Sequence, residues 1–182
     1  MDKILVVADP IGGNQEVINR AIGIARRTRA ELLIAGFVYE HIANLPNAKD
    51  ADIEAKVREK LVAEHRKDIL KKFREAKGKR RAPPHSIEVH WEKRVAEWVM
   101  NRAAKEKVDM VMKRVHRSET LTYQPTDWQL LRGCKSSVLL VAEKHWKQSN
   151  NILAAVDLGT RSRGKLSLIH ISEPTRPNAP SR

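Results

Sequence analysis

The chain has 182 residues, 41% hydrophobic, 31% charged and 4% aromatic, and its 35 Lys and Arg against 22 Asp and Glu give a formal net charge of +13. That length holds one domain and part of another, which excludes a large multi-domain machine. No run approaches the ~20 apolar residues of a membrane span, the apolar start at residues 4–8 is too short for a signal peptide, and the single Cys134 makes no internal disulfide, so a cytoplasmic location is expected.

In chain order, short β-branched runs alternate with segments of helical period, the pattern of βαβ units and a parallel sheet. Residues 4–8 form the first strand, which ends at Asp9-Pro10-Ile11-Gly12-Gly13, where the two glycines read as a turn. Asn14 is placed to cap a helix whose apolar positions Val17, Ile18, Ala21, Ile22 and Ala25 share one face. Residues 31–39 form the second strand, and a long helix over about 50–77 carries Ile53, Val57, Leu61, Ile69 and Phe73 at multiples of four. Pro83-Pro84 stops the helix and opens a third strand at 86–91, whose alternation suits a sheet edge. A helix from Val95, a strand at 108–113, a short helix in which Thr126 and Gln129 have capping-box spacing, and a strand at 137–142 complete the unit. The fold class expected is α/β, a doubly wound five-stranded parallel sheet.

The charge is concentrated. Residues 56–81 hold 12 basic and four acidic side chains, a net of +8, and residues 158–182 add a net of +4, so the remainder is nearly neutral. A helix with a basic outer face fits a nucleic acid or an anionic membrane as well as water, and the discriminating feature is whether that face is continuous in space.

An internal comparison adds a boundary. Ile4-Leu5-Val6-Val7-Ala8-Asp9 recurs as Ile152-Leu153-Ala154-Ala155-Val156-Asp157, after a polar linker at 143–150, so residues 151–157 read as the first strand of a second, truncated copy. Residues 158–182 read as a disordered or foreign tail. The run from Ser167 to Arg176 resembles translated sequencing-adaptor read-through, and residues from about Gly164 are expected to carry no function.

Asp9 after the first strand, Val108-Asp109-Met110-Val111-Met112 at the fourth, and Pro125-Thr126-Asp127-Trp128-Gln129-Leu130-Leu131-Arg132 with Cys134 before Ser137-Val138-Leu139-Leu140-Val141 carry a resemblance. Residues 2–157 resemble the universal stress protein family, specifically the first domain of its tandem-domain E type. The resemblance implies a Rossmann-like domain at 2–142, a role in stress survival including resistance to DNA damage, and action by binding with no catalysis. It also implies pairing with the second domain, or with a homodimer partner, through the sheet edge, which leads to self-association or poor solubility when that edge is uncovered.

The nucleotide-binding branch of that family holds ATP with a loop of pattern Gly-x2-Gly-x9-Gly-Ser/Thr after the fourth strand. Here residues 113–124 contain no glycine, and glycines are what let a backbone take φ > 0 and approach phosphates closely. ATP is therefore not expected as a cofactor. Asp9 and Val38 stand at positions that hold adenosine in the binding branch, and Lys113, Arg114, His116 and Arg117 follow the fourth strand, where such folds place ligands. Asp9, Val38, Lys113, Arg114 and His116 are thus the candidate residues for a nucleotide, small-molecule or other anionic ligand, with a solvated basic loop as the alternative for the last three.

No histidine pair has metal-ligand spacing, and no nucleophile, base and acid assemble, so neither a metal site nor an enzyme is expected. His65 falls in the apolar stripe of the long helix, and Trp91, Trp98 and Trp128 read as packing residues. Two further functions stay open: an ATP-binding switch with weak hydrolysis, and a nucleic-acid-binding module using the basic helix at 56–81.

Overall fold

The computed structural model describes residues 1–9, 13–39, 51–115 and 126–142, with 51–53 by backbone alone. The linker, the second-copy strand and the tail inferred from sequence lie outside the described residues, as does His116. The elements are β1 (Lys3–Ala8), α1 (Asn14–Thr28), β2 (Glu31–Val38), α2 (Ala51–Lys77), β3 (His85–Trp91), α3 (Val95–Glu106), β4 (Met110–Arg114), α4 (Thr126–Gly133) and β5 (Ser137–Val141). The five strands run parallel in the order β3-β2-β1-β4-β5.

Strand chemistry explains that order. β1 and β2 are apolar along nearly their whole length and are buried on both faces, as a central parallel strand requires. One face, from Ile4, Val6, Leu32, Ile34 and Met112, packs with Val17, Ile18 and Ile22 of α1 and with Ile69 and Phe73 of α2. The other, from Leu5, Val7, Leu33, Phe37 and Val111, packs with Val99 and Ala103 of α3 and Leu130 of α4. β3, with its alternating polar residues, takes an edge as its sequence predicts, and β5 takes the other.

Because β2 and β3 extend to one side of β1 while β4 and β5 extend to the other, the crossover direction reverses between β1 and β4. In open parallel sheets that reversal opens a crevice at the carboxyl ends of the two strands.

Two local expectations are corrected. Asn14 does not cap α1: Gly13, with φ 68°, is the N-cap, and no side chain bonds the first turn. Trp128 is not a packing residue, being 56% exposed on α4, whereas Trp98 sits against Phe37 at 5.1 Å and His90 at 4.4 Å between ring centres.

Candidate functional site

The crevice is built by the ends of β1 and β4 and the starts of α1 and α4. Val111 and Lys113 share one face of β4 by strand alternation, while Arg114 points to the other. Lys113 is therefore directed among apolar side chains, and it is only 3% exposed. A buried ammonium persists only if it is paired and its donors are satisfied. Here Nζ donates to Asp9 Oδ2 at 3.1 Å and to the Arg114 carbonyl oxygen at 3.2 Å, and forms an ion pair with Asp127 Oδ1 at 3.0 Å. Lys113 is thus an internal cation shared by two carboxylates, which corrects its reading as part of a solvated loop.

Each partner is held by its own element. Asn14 reaches back across the β1–α1 turn, its Oδ1 accepting from the Asp9 N–H at 3.0 Å and its Nδ2 donating to the Asp9 carbonyl at 2.6 Å. That clamp fixes Asp9 at the mouth of the crevice and explains why Asn14 is fully buried. Asp127 stands in the first turn of α4, where the helix dipole favours a carboxylate.

On the opposite face, the Arg114 side chain lies over Gly13. A Cβ built on Gly13 would sit 2.6 Å from Arg114 Cζ and 2.7 Å from its Cδ, so the guanidinium fills the space in front of the α1 turn. Gly13 serves two demands at once, a positive φ and room for that side chain.

Of the residues selected from sequence, the fold brings Asp9, Lys113 and Arg114 together. Val38 ends β2 at the same end of the sheet, buried, with its carbonyl accepting from the Glu92 N–H at 3.1 Å. Asp127 and Asn14 were missed as site residues. A signal for Asp127 existed: a lysine closing the apolar run Met110-Val111-Met112 needs a carboxylate, and the Pro-Thr-Asp-Trp segment supplies one.

Beneath the crevice, His65 of α2 places Nε2 3.4 Å from the Ala8 carbonyl oxygen. Burial pushes its pKa below the ordinary histidine value, opposed by the Ala8 carbonyl and the charges of Asp68 and Asp9, with Lys72 adding to the lowering. Among the described residues no group of three or more His, Cys, Asp or Glu is placed to hold a metal ion.

The carboxylate at the end of β1 is engaged by Lys113, the space before Gly13 holds a guanidinium, and residues 113–124 offer no glycine for a phosphate cradle.

The model of the universal stress protein family matches residues 1–142. Among curated proteins, universal stress protein E of Escherichia coli K12 is 30% identical over 165 residues, covering 86% of this chain and 50% of that protein. The Salmonella typhi protein of the same name is 26% identical over 163 residues, with the same coverage. The chain therefore spans about half the length of the curated relatives it matches. Among solved structures, universal stress protein UspA from Lactobacillus plantarum superposes with a TM-score of 0.59 at 17% identity, covering 77% of this chain and 97% of that one. A universal stress protein in complex with cAMP gives 0.54 at 17% identity, covering 79% and 98%. These likenesses show the fold.

Proposed function

The chain belongs to the universal stress protein family, and from that premise we propose that it is the first domain of an E-type, tandem stress-survival protein that acts by binding, not catalysis. The observation that carries the reading is Lys113. Its ammonium donates to Asp9 and a backbone carbonyl and is ion-paired with Asp127, so the crevice that such a fold offers to a nucleotide already holds an internal ion cluster. An ATP phosphate entering there would have to displace a buried ion pair without a glycine loop to receive it. The domain's role is then to support the other half of a tandem protein, with ligand binding, if the whole protein has it, carried outside this crevice. The stress served includes DNA damage, as for the E type it resembles.

The surface that would receive the second domain or a second copy is the β5 edge. Val138, Leu139 and Leu140 are only half-buried there, and Trp128 and Leu131 stand 56% and 48% exposed on the neighbouring α4. Among the described residues no strand pairs the outer side of β5, and a parallel edge with exposed apolar side chains beside it invites pairing.

Calorimetric titration of ATP tests the crevice: no heat and no thermal shift are expected at millimolar nucleotide. Saturable micromolar binding would overturn the reading and make Asp9, Val38 and the segment after β4 the site. Sizing across a dilution series tests the edge, with self-association expected and lost on Trp128→Asp; a monomer at high concentration counts against it. Survival after ultraviolet damage, compared with and without the protein, tests the stress role, and equal survival would remove it.

A further inference from the structure

The long helix α2 carries a second feature that the crevice does not use. Its core face is set by His65, Ile69 and Phe73, all buried against the sheet. At 100° per residue, Lys56, Lys60, Lys67, Lys71 and Arg74 fall within about 60° of arc, roughly opposite that face, and span about 27 Å along the axis. All five are exposed. Glu64, Asp68 and Glu75 lie to one side of this row and Glu59 to the other, so the basic face is continuous along the helix and narrow across it.

The nearby acids neutralise little of it. Lys60 and Glu64 are 4.0 Å apart, and Asp68 is taken at 2.6 Å by Lys72, which lies inward of the row. Among the described residues, Lys56, Lys67, Lys71 and Arg74 have no carboxylate within ion-pair distance. The row is also held rigidly. Arg26 of α1 donates to the carbonyls of Lys77 and Arg81 at 3.0 and 3.2 Å, tying down the end of α2 and the exposed Lys79-Arg80-Arg81 segment that prolongs the charge.

We propose that this ridge of α2 docks on the phosphate backbone of double-stranded nucleic acid, without reading its sequence. The apolar face of α2 is consumed by the core, so the helix cannot sink into a bilayer. The outward row contains no apolar side chain larger than Ala63, which removes the insertion on which interfacial membrane helices depend. It contains no aromatic ring, which removes the stacking on which single-strand binders depend. A single row of cations flanked by carboxylates complements a narrow, convex polyanion better than a broad anionic plane, which would also meet the flanking acids.

The test is fluorescence anisotropy of a short labelled duplex of arbitrary sequence with the whole chain, measured against salt. Five phosphate contacts give a slope of log affinity on log salt near −4.5, an affinity loss of about 500-fold between about 50 and 200 mM salt. Lys60→Gln/Lys67→Gln/Lys71→Gln is expected to weaken binding at low salt and reduce the slope by about 2.7. Arginine at the same three positions restores both. The control Lys105→Gln/Lys107→Gln/Arg132→Gln removes equal charge from the α3 and α4 side and is expected to leave the slope within experimental error. Equal losses in the two triple variants, a slope near zero, tighter binding to single strands, or retention by phosphatidylglycerol vesicles but not by duplex would each overturn the proposal. None of these outcomes depends on whether the crevice takes ATP.

Discussion

The end of β4 and the outer face of α2 use the same residue type for opposite ends. Lys113 is 3% exposed and spends its charge on Asp9 and Asp127, whereas Lys67 and Lys71 stand in water with no carboxylate within ion-pair distance among the described residues. The difference teaches that in so basic a chain the charge count says little about where a partner can bind. A buried lysine closes a site because its desolvation demands internal partners; an exposed row leaves one open because water and salt are displaced at little cost.

The sharpest way to break that comparison is Lys113→Met. It removes the ammonium shared by the part-buried Asp9 and the buried Asp127, and an expected loss of about 3–5 kcal/mol appears as a lower urea midpoint. Adding Asp9→Asn and Asp127→Asn to the same variant is expected to recover most of it, since a neutral set no longer needs a cation. An unchanged midpoint for Lys113→Met alone would show that the lysine is not an internal cation.

A smaller effect probes the support beneath the crevice. Gly36 on β2 faces α2, and a Cβ there would sit 2.6 Å from Ile69 Cδ1 and 2.9 Å from the His65 ring. Gly36→Ala is therefore expected to cost about 1–3 kcal/mol by overpacking, read from the same denaturant curves.

pH sharpens the comparison further. His65 is neutral in the fold because burial lowers its pKa, so the unfolded chain binds the proton more readily. Stability contributed by the neutral ring is present above the ordinary histidine value and declines as pH falls below about 6.5 toward the lowered folded value. His65→Gln is expected to flatten the unfolding free energy over that window. In the carboxylate range the trend continues from two surface groups. Glu106 is lowered by its hydrogen bond and charge interaction with Lys3, and Asp109 by the N–H groups of Lys3 and Asp2. Their contribution is present above the ordinary carboxylate value and is lost as pH falls through the lowered one.

The smallest effect belongs to the α2 ridge. Lys67→Gln and Lys71→Gln are expected to change stability by less than about 0.5 kcal/mol, because nothing in the fold depends on them. A large destabilisation would place those lysines in the structure and not on an open face.

Much of the architecture was legible from local pattern. The apolar runs of β1 and β2 required central positions, the alternation of β3 required an edge, and the stripe of α2 required a sheet to cover; each is a short-range period that survives in one dimension. The site was only half legible. Asp9, Lys113 and Arg114 could be picked because they follow strands at the switch point. Their pairing could not, because the partner of Lys113 stands 104 positions away in Asp9 and on a separate helix in Asp127. Asn14 was misread for a related reason: the residue type fits a helix cap, and only the folded structure shows its amide bonded to the Asp9 backbone.

By itself the sequence determined the fold class, the family likeness, the missing glycine loop and the concentration of charge between Lys56 and Arg81, since composition and short periods record all four. Only the tertiary structure decided which lysine is neutralised and which are free to meet a partner. Burial and charge pairing are properties of distance in space, and the chain must fold before a lysine's surroundings exist.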